Sequence, residues 1–208
     1  MSTTRDRILE AAAELLRAGG PTAVTFDAVA ARLGLTKQAV IYWFPTKADL
    51  FAGVALPILE AEARAAVEAA RSAAGRADAA RRVVAELTRF HLSDLERFRL
   101  AYVAPQLDGA SIRRARIADR VHPVTAEMYG TVAEALGGGP EARAEAVALH
   151  MAALGHALLV ALTEAAGDPL RHGPGPLADV LARLLADGTG PVPPDGGTGG
   201  CIAPKATC

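Results

Sequence analysis

The chain has little of what holds small extracellular domains or β-proteins together. Only two of its 208 residues are cysteine, Cys201 and Cys208, both within the last eight positions. No pair is left for a core disulfide, which fits a reducing, cytoplasmic setting. Aromatic residues make up 4% and β-branched ones are scarce, and no segment alternates apolar and polar residues with the period of a strand. The net charge is −1, a balance that names no partner. The segment MSTTRDRILEAAAELL lacks a charged stretch followed by a continuous apolar run, so no signal peptide is expected. The most apolar stretch, Ala146–Thr163, carries His150, Gly155 and His156 between Glu145 and Glu164, which favours a buried helix over a membrane span. There is no P-loop, no glycine fingerprint after a strand and no G-x-S-x-G elbow. His150 and His156 are six apart and so face different sides of a helix. These absences speak against an enzyme and leave no cofactor and no metal site in view.

What the chain does have is a hydrophobic fraction of 51%, dominated by alanine and leucine, which favours an all-α fold. Ile8, Leu9, Ala12, Leu15 and Leu16 recur at helical spacing, and Gly19-Gly20-Pro21 ends that helix. Thr25 caps a second over about 26–33, Gly34 breaks it, and Thr36 caps a third over about 37–44, which Pro45 stops. Thr46 and Asp49 form a capping box for a fourth helix reaching about residue 74. Further helices are expected at 77–95, 97–107, 112–136, 141–166 and 176–186. The tail from Gly188 is rich in glycine and proline and is expected to be disordered. Three units follow: a DNA-binding unit at 1–46, a helical ligand-binding and dimerisation unit at 47–187, and the tail at 188–208.

Residues 25–44 have the arithmetic of a helix-turn-helix, with a short turn at Gly34-Leu35 between two short helices. Val29, Ala30, Leu33, Leu35, Val40 and Phe44 close a small core. Lys37, Gln38, Ala39 and Tyr42 or Trp43 are left outside. Gln38 suits an adenine edge and Ala39 a thymine methyl, whereas Thr36, Lys37, Tyr42 and Lys47 suit phosphates. Residues 1–50 carry a net charge of only +1, so non-specific DNA binding is expected to be weak.

The run TFDAVAARLGLTKQAVIYWFPTKADLF, with RILEAAAELLRAGG before it, resembles the TetR family of transcriptional regulators over about residues 5–55. The resemblance implies an N-terminal three-helix DNA-binding domain, a C-terminal helical domain, a homodimer on a palindromic operator, and a repressor released by a small-molecule inducer. It carries DNA contacts over to Thr25, Thr36, Lys37, Gln38, Ala39, Tyr42, Trp43 and Lys47. Ile41 stands where the family usually has a phosphate-contacting tyrosine, Trp43 where histidine is common, and Gln38 where glycine is frequent.

Beyond Ala55 the resemblance implies only architecture: helices enclosing a ligand cavity, and the last two forming a four-helix bundle with the partner subunit. The apolar helix at 141–166 fits that role, with Ala152, Ala153 and Gly155 permitting close approach. Candidate ligand-binding residues are the larger side chains in the small-residue background: Phe90, His91, Phe98, Tyr102, Gln106, His122, Met128, Tyr129, His150 and Met151. Plain core packing is the alternative for each. Arg113, Arg116 and Arg120 share a face that reads as a solvated stripe. A DNA-binding regulator controlled by a partner protein or by the tail cysteines is the second reading, and activation in place of repression stays open.

Overall fold

The computed structural model describes residues 2–103 and 117–167, together with 177, 179–181 and 183–184. All its regular elements there are helical. Helix α1 spans Thr4–Ala23, opened by a Thr3–Asp6 capping box and bent at Gly20, whose φ of 69° leaves the helical region just before Pro21. The break therefore falls where the Gly-Gly-Pro run placed it, with one further turn after it. Helix α2 is Phe26–Leu33 and α3 is Lys37–Trp43, capped by the hydroxyls of Thr25 and Thr36. Gly34 between them takes the left-handed conformation, φ 66°, which any residue with a Cβ adopts only at a cost of about 1 kcal/mol or more.

Helix α4 runs from Lys47 to Arg71 behind a Thr46–Asp49 capping box. Helix α5 is Arg76–Leu92, and α6 is a single turn, Leu95–Phe98, that passes into a π-helical turn at Arg99–Val103. The sequence pattern had carried α5 on to residue 95 and begun the next helix at 97. The boundary comes earlier because Asp94 accepts the Arg97 N–H and caps α6. Helix α7 is Ile117–Ala135 and α8 is Gly139–Ala166. Of the helix expected at 176–186, the described residues are helical. Gln106, Arg113, Arg116 and the tail with Cys201 and Cys208 lie outside the described residues.

Two cores result. The first joins Ile8, Ala12 and Leu16 of α1, Val29 and Ala30 of α2, Val40 and Phe44 of α3 and its end, and Leu50, Phe51 and Val54 of α4, and it includes Leu100. The second joins Ala63, Ala66 and Ala70 of α4 to Val83, Val84 and Leu87 of α5, Met128, Val132 and Leu136 around α7, and Ala146, Leu149 and Ala153 of α8. Helix α4 belongs to both. Pro57 lies inside it between the two sets of buried residues and has no N–H to give the carbonyl of Gly53. Small residues set the closeness of the second bundle, in which α4 packs on α5 and α7, and α8 packs on the same two helices. Arg76 ties the α5 end to the carbonyl of Leu136 and, at 2.6 Å, to the Glu145 carboxylate.

Gly53 marks the closest approach in the first core. A Cβ placed on it would lie 2.6 Å from Leu9 Cδ2 and 3.0 Å from Phe44 Cε1. Alanine there gains about 1 kcal/mol of helix propensity and loses a similar amount displacing Leu9. A larger side chain has no such offset, so Gly53→Leu is expected to destabilise the chain by about 1–3 kcal/mol. Urea unfolding of the two variants checks this, and a Gly53→Leu chain as stable as the parent would contradict the packing described.

Candidate nucleic-acid interface and the buried cluster behind it

Helix α3 is held from one side only. Val40 is fully buried and Phe44 nearly so, whereas Tyr42 is 80% and Trp43 42% exposed. Their rings meet edge to face with centroids 5.6 Å apart. Gln38 is exposed on the same helix and Ala39 is half-buried. Thr36 Oγ1 accepts from the Ala39 N–H at 3.2 Å and Thr25 Oγ1 from the Ala28 N–H at 3.0 Å. Each hydroxyl thus caps a helix and still has its own proton to donate. Lys37 Nζ pairs with Asp27 at 2.8 Å, and Arg32 with Glu14 at 2.7 Å, so part of the small positive charge of this unit is matched internally. Lys47 is half-buried. Its ammonium donates to the Pro21 carbonyl at 2.6 Å and lies over the Phe51 ring at 5.3 Å. It fastens the bend of α1 to the start of α4, a structural task the sequence did not disclose.

Four turns further along α4 is Glu62, 2% exposed. Its Oε1 is 2.9 Å from His91 Nε2 and 2.7 Å from His150 Nε2, and its Oε2 accepts from the Tyr102 hydroxyl at 2.5 Å. The other nitrogen of His150, Nδ1, lies 2.7 Å from the Tyr129 hydroxyl. Phe98 completes the cluster: Tyr102 stacks on it at 5.5 Å and His91 meets it edge-on at 5.3 Å. Burial by itself pushes the Glu62 carboxyl up. The hydrogen bonds from His150 and His91, with their coulombic pull, outweigh it and hold the group at about 2. Burial and the Glu62 charge together push the Tyr102 phenol well above its ordinary value, so it stays a donor.

Five of the ten side chains singled out for the effector domain therefore meet around one point: His91, Phe98, Tyr102, Tyr129 and His150. Phe90 sits at the edge against His91, with the Arg97 guanidinium 4.0 Å over its ring. Gln106 lies outside the described residues, and the other three lie apart from this cluster. His122 and Met151 are exposed. Met128 is buried and lines a separate open groove of about 680 Å³ between α4 and α7, with Arg64, Val67, Arg71 and Val124. Glu62 is the member of the cluster that the sequence pattern did not single out. The available signal was its place on the stripe Glu62, Ala66, Ala70, where a carboxylate falls at i, i+4, i+8 among residues that are all buried.

Comparison with known proteins adds to this geometry. Residues 8–54 match the model of the bacterial regulatory proteins, tetR family. No curated protein sequence matches the chain. A bacterial regulatory protein in the tetR family from Rhodococcus RHA1 superposes with a TM-score of 0.66 at 21% identity, over 91% of this chain and 98% of that one. The multidrug binding protein EbrR, solved with imidazole, gives 0.63 at 25% identity over 94% and 99%. The TetR family transcriptional regulator PfmR from Thermus thermophilus gives 0.56 at 22% identity over 91% and 96%. Residues 8–54 thus carry the helix-turn-helix of the tetR family of bacterial regulatory proteins, and the helical architecture behind it is shared with solved structures of that family.

Proposed function

We propose that the chain is a cytoplasmic repressor that binds a palindromic operator as a homodimer and leaves it when a small molecule occupies the helical domain. The observation that carries this reading is α3: a short helix anchored by Val40 and Phe44 that presents Gln38, Tyr42 and Trp43 outward. A helix so placed enters the major groove with its first turns against base edges. Gln38 then reads a base, with Ala39 against a thymine methyl. Thr25, Thr36, Lys37, Tyr42, Trp43 and Lys47 serve the backbone. Tyr42 and Trp43 replace the contact that Ile41 does not offer. Lys37 exchanges Asp27 for a phosphate. The cluster around Glu62 supplies the polar groups of an effector site among the aromatic rings of Phe98 and Tyr102. The likeness to EbrR, named as a multidrug binding protein, supports a small-molecule effector.

The dimer reading rests on α8. Its buried face holds Ala142, Ala146, Leu149, Ala153, Ala157 and Ala161. On the opposite side Met151, Leu158, Leu159 and Leu162 are exposed, Met151 by 66% and Leu162 by 58%. With Gly155, whose Cβ would meet nothing within 4 Å, they form a stripe at i, i+4, i+7, i+8 and i+11. A continuous apolar stripe of this kind marks an interface, and a second copy of α8 is its natural occupant. Leu158→Glu combined with Leu162→Glu is expected to convert the dimer to a folded monomer, because both side chains are exposed within one chain. Sedimentation velocity checks this, and a parent chain that is monomeric at micromolar concentration contradicts the dimer.

The DNA assignments separate in a titration. Gln38→Ala is expected to cost about 1–3 kcal/mol on the cognate site and little on scrambled DNA. Lys47→Ala is expected to weaken both and to lower the salt dependence by about one unit. Fluorescence anisotropy at two salt concentrations, on an operator located by gel shift upstream of the chain's own gene, measures both. Equal weakening of the two DNAs by Gln38→Ala would refute the orientation given to α3.

A further inference from the structure

We propose that Glu62, His91 and His150 form a binding site for a divalent transition-metal ion of the zinc class inside the helical domain. The three residues come from α4, α5 and α8, all are buried, and their ligand atoms lie within 4.8 Å of one another. Two imidazoles and one carboxylate are a ligand set that zinc and its neighbours accept, with a further position open to water or another ligand. Tetrahedral coordination with bonds of about 2.0–2.2 Å sets ligand atoms about 3.3 Å apart. The carboxylate Oε1 now stands 2.9 and 2.7 Å from the two Nε2 atoms, so an ion needs them to part by about half an ångström.

Three details prepare the site for a cation. Among the described residues the partners of Glu62 are His91, His150 and Tyr102. Two imidazoles and a phenol hydroxyl meet this carboxylate and, among the described residues, no lysine or arginine does, so a buried carboxylate is left for a cation to join. Second, the atoms turned away from the site are held: Tyr102 donates to Oε2 of Glu62, and the Tyr129 hydroxyl adjoins Nδ1 of His150. Metal-ligating carboxylates and histidines are oriented in this way. Third, His91 Nδ1 is buried without a hydrogen-bond partner. The hydrogen bond to Glu62 holds a proton on Nε2; an ion that displaces that bond takes the Nε2 lone pair while the vacant Nδ1 carries the ring proton. In His150 the same shift turns Nδ1–H toward the Tyr129 oxygen. Any second proton on either ring is released to solvent as the ion binds.

The ion would join α4 to α5, its direct neighbour, and to α8, which packs on α5 and α7, so its binding would brace the helical domain. The site stands independently of the operator reading, which metal-free DNA titrations test separately. The experiment uses the full chain with Cys201→Ser and Cys208→Ser, which removes the tail thiols as competing ligands. After chelation and dialysis, the chain is titrated with Zn2+ by calorimetry and with Co2+ by visible absorption. One equivalent per chain is expected, with the intense d–d bands of a four-coordinate cobalt site and a raised Tm. Glu62→Gln and His150→Gln are expected to weaken binding at least tenfold, whereas His122→Gln, a change at an exposed histidine, leaves it intact. Absence of binding tighter than millimolar overturns the proposal, as does retention of full affinity in both cluster variants. Should those variants fail to fold, the cobalt spectrum of the parent decides: weak six-coordinate bands refute the site and intense four-coordinate bands uphold it.

Discussion

A carboxylate removed from water has to be met by donors, and a mismatch costs several kcal/mol. Glu62 is met by His91, His150 and Tyr102, which arrive on α5, α8 and the π-helical turn. Much of the helical domain is organised by that requirement. The π-helical turn brings the Tyr102 hydroxyl to the carboxylate while Phe98, just before the turn, and Leu100 and Ala101 within it stay buried. Alanine lines the rest of the α4 stripe and lets α5 and α8 come near enough for imidazole to reach. An alanine-rich core is adaptable and specifies its own register weakly. One polar contact shared by several elements specifies it strongly, because any slip leaves the charge unmatched.

Local chemistry was legible in the sequence wherever it acts over a few residues. Thr25, Thr36 and the Thr46–Asp49 box mark helix starts because their oxygens accept N–H groups three positions on. Gly34 marks the turn because of its left-handed backbone. The inward set of the helix-turn-helix, Val29, Val40 and Phe44, followed from period alone. Less was legible where distant segments decide. Asp94 reads as one more surface acid until α6 is seen to start behind it. Lys47 reads as a cation for phosphate, and its hold on the Pro21 carbonyl depends on how α1 bends at Gly20. The polar cluster is the extreme case: Glu62, His91 and His150 stand 29 and 88 positions apart from the glutamate outward. The spacing of His150 and His156 along one helix gave no hint of it.

His156 illustrates the other side of the same physics. It is buried on α8 with neither ring nitrogen hydrogen-bonded, and burial lowers its pKa. It packs as a neutral ring, one turn and a half from a histidine of the same helix that is bonded at both nitrogens. Residue type alone does not separate the two; the company each keeps does.

Pro57 has a mechanical consequence. The part of α4 before it belongs to the core with α1–α3, and the part after it to the core with α5, α7 and α8. Because proline leaves one rung of the helix ladder empty, bending there breaks no hydrogen bond that was made. The two ends of α4 are thus joined by a rod with a soft joint near its middle. A tilt of about 5° at that joint moves Lys47, about 15 Å away along the axis, by about 1 Å. In the two-fold pair proposed above, the displacement is doubled between the two copies of α3. A repacking too small to disturb either core then suffices to put both out of step with the grooves of a rigid duplex.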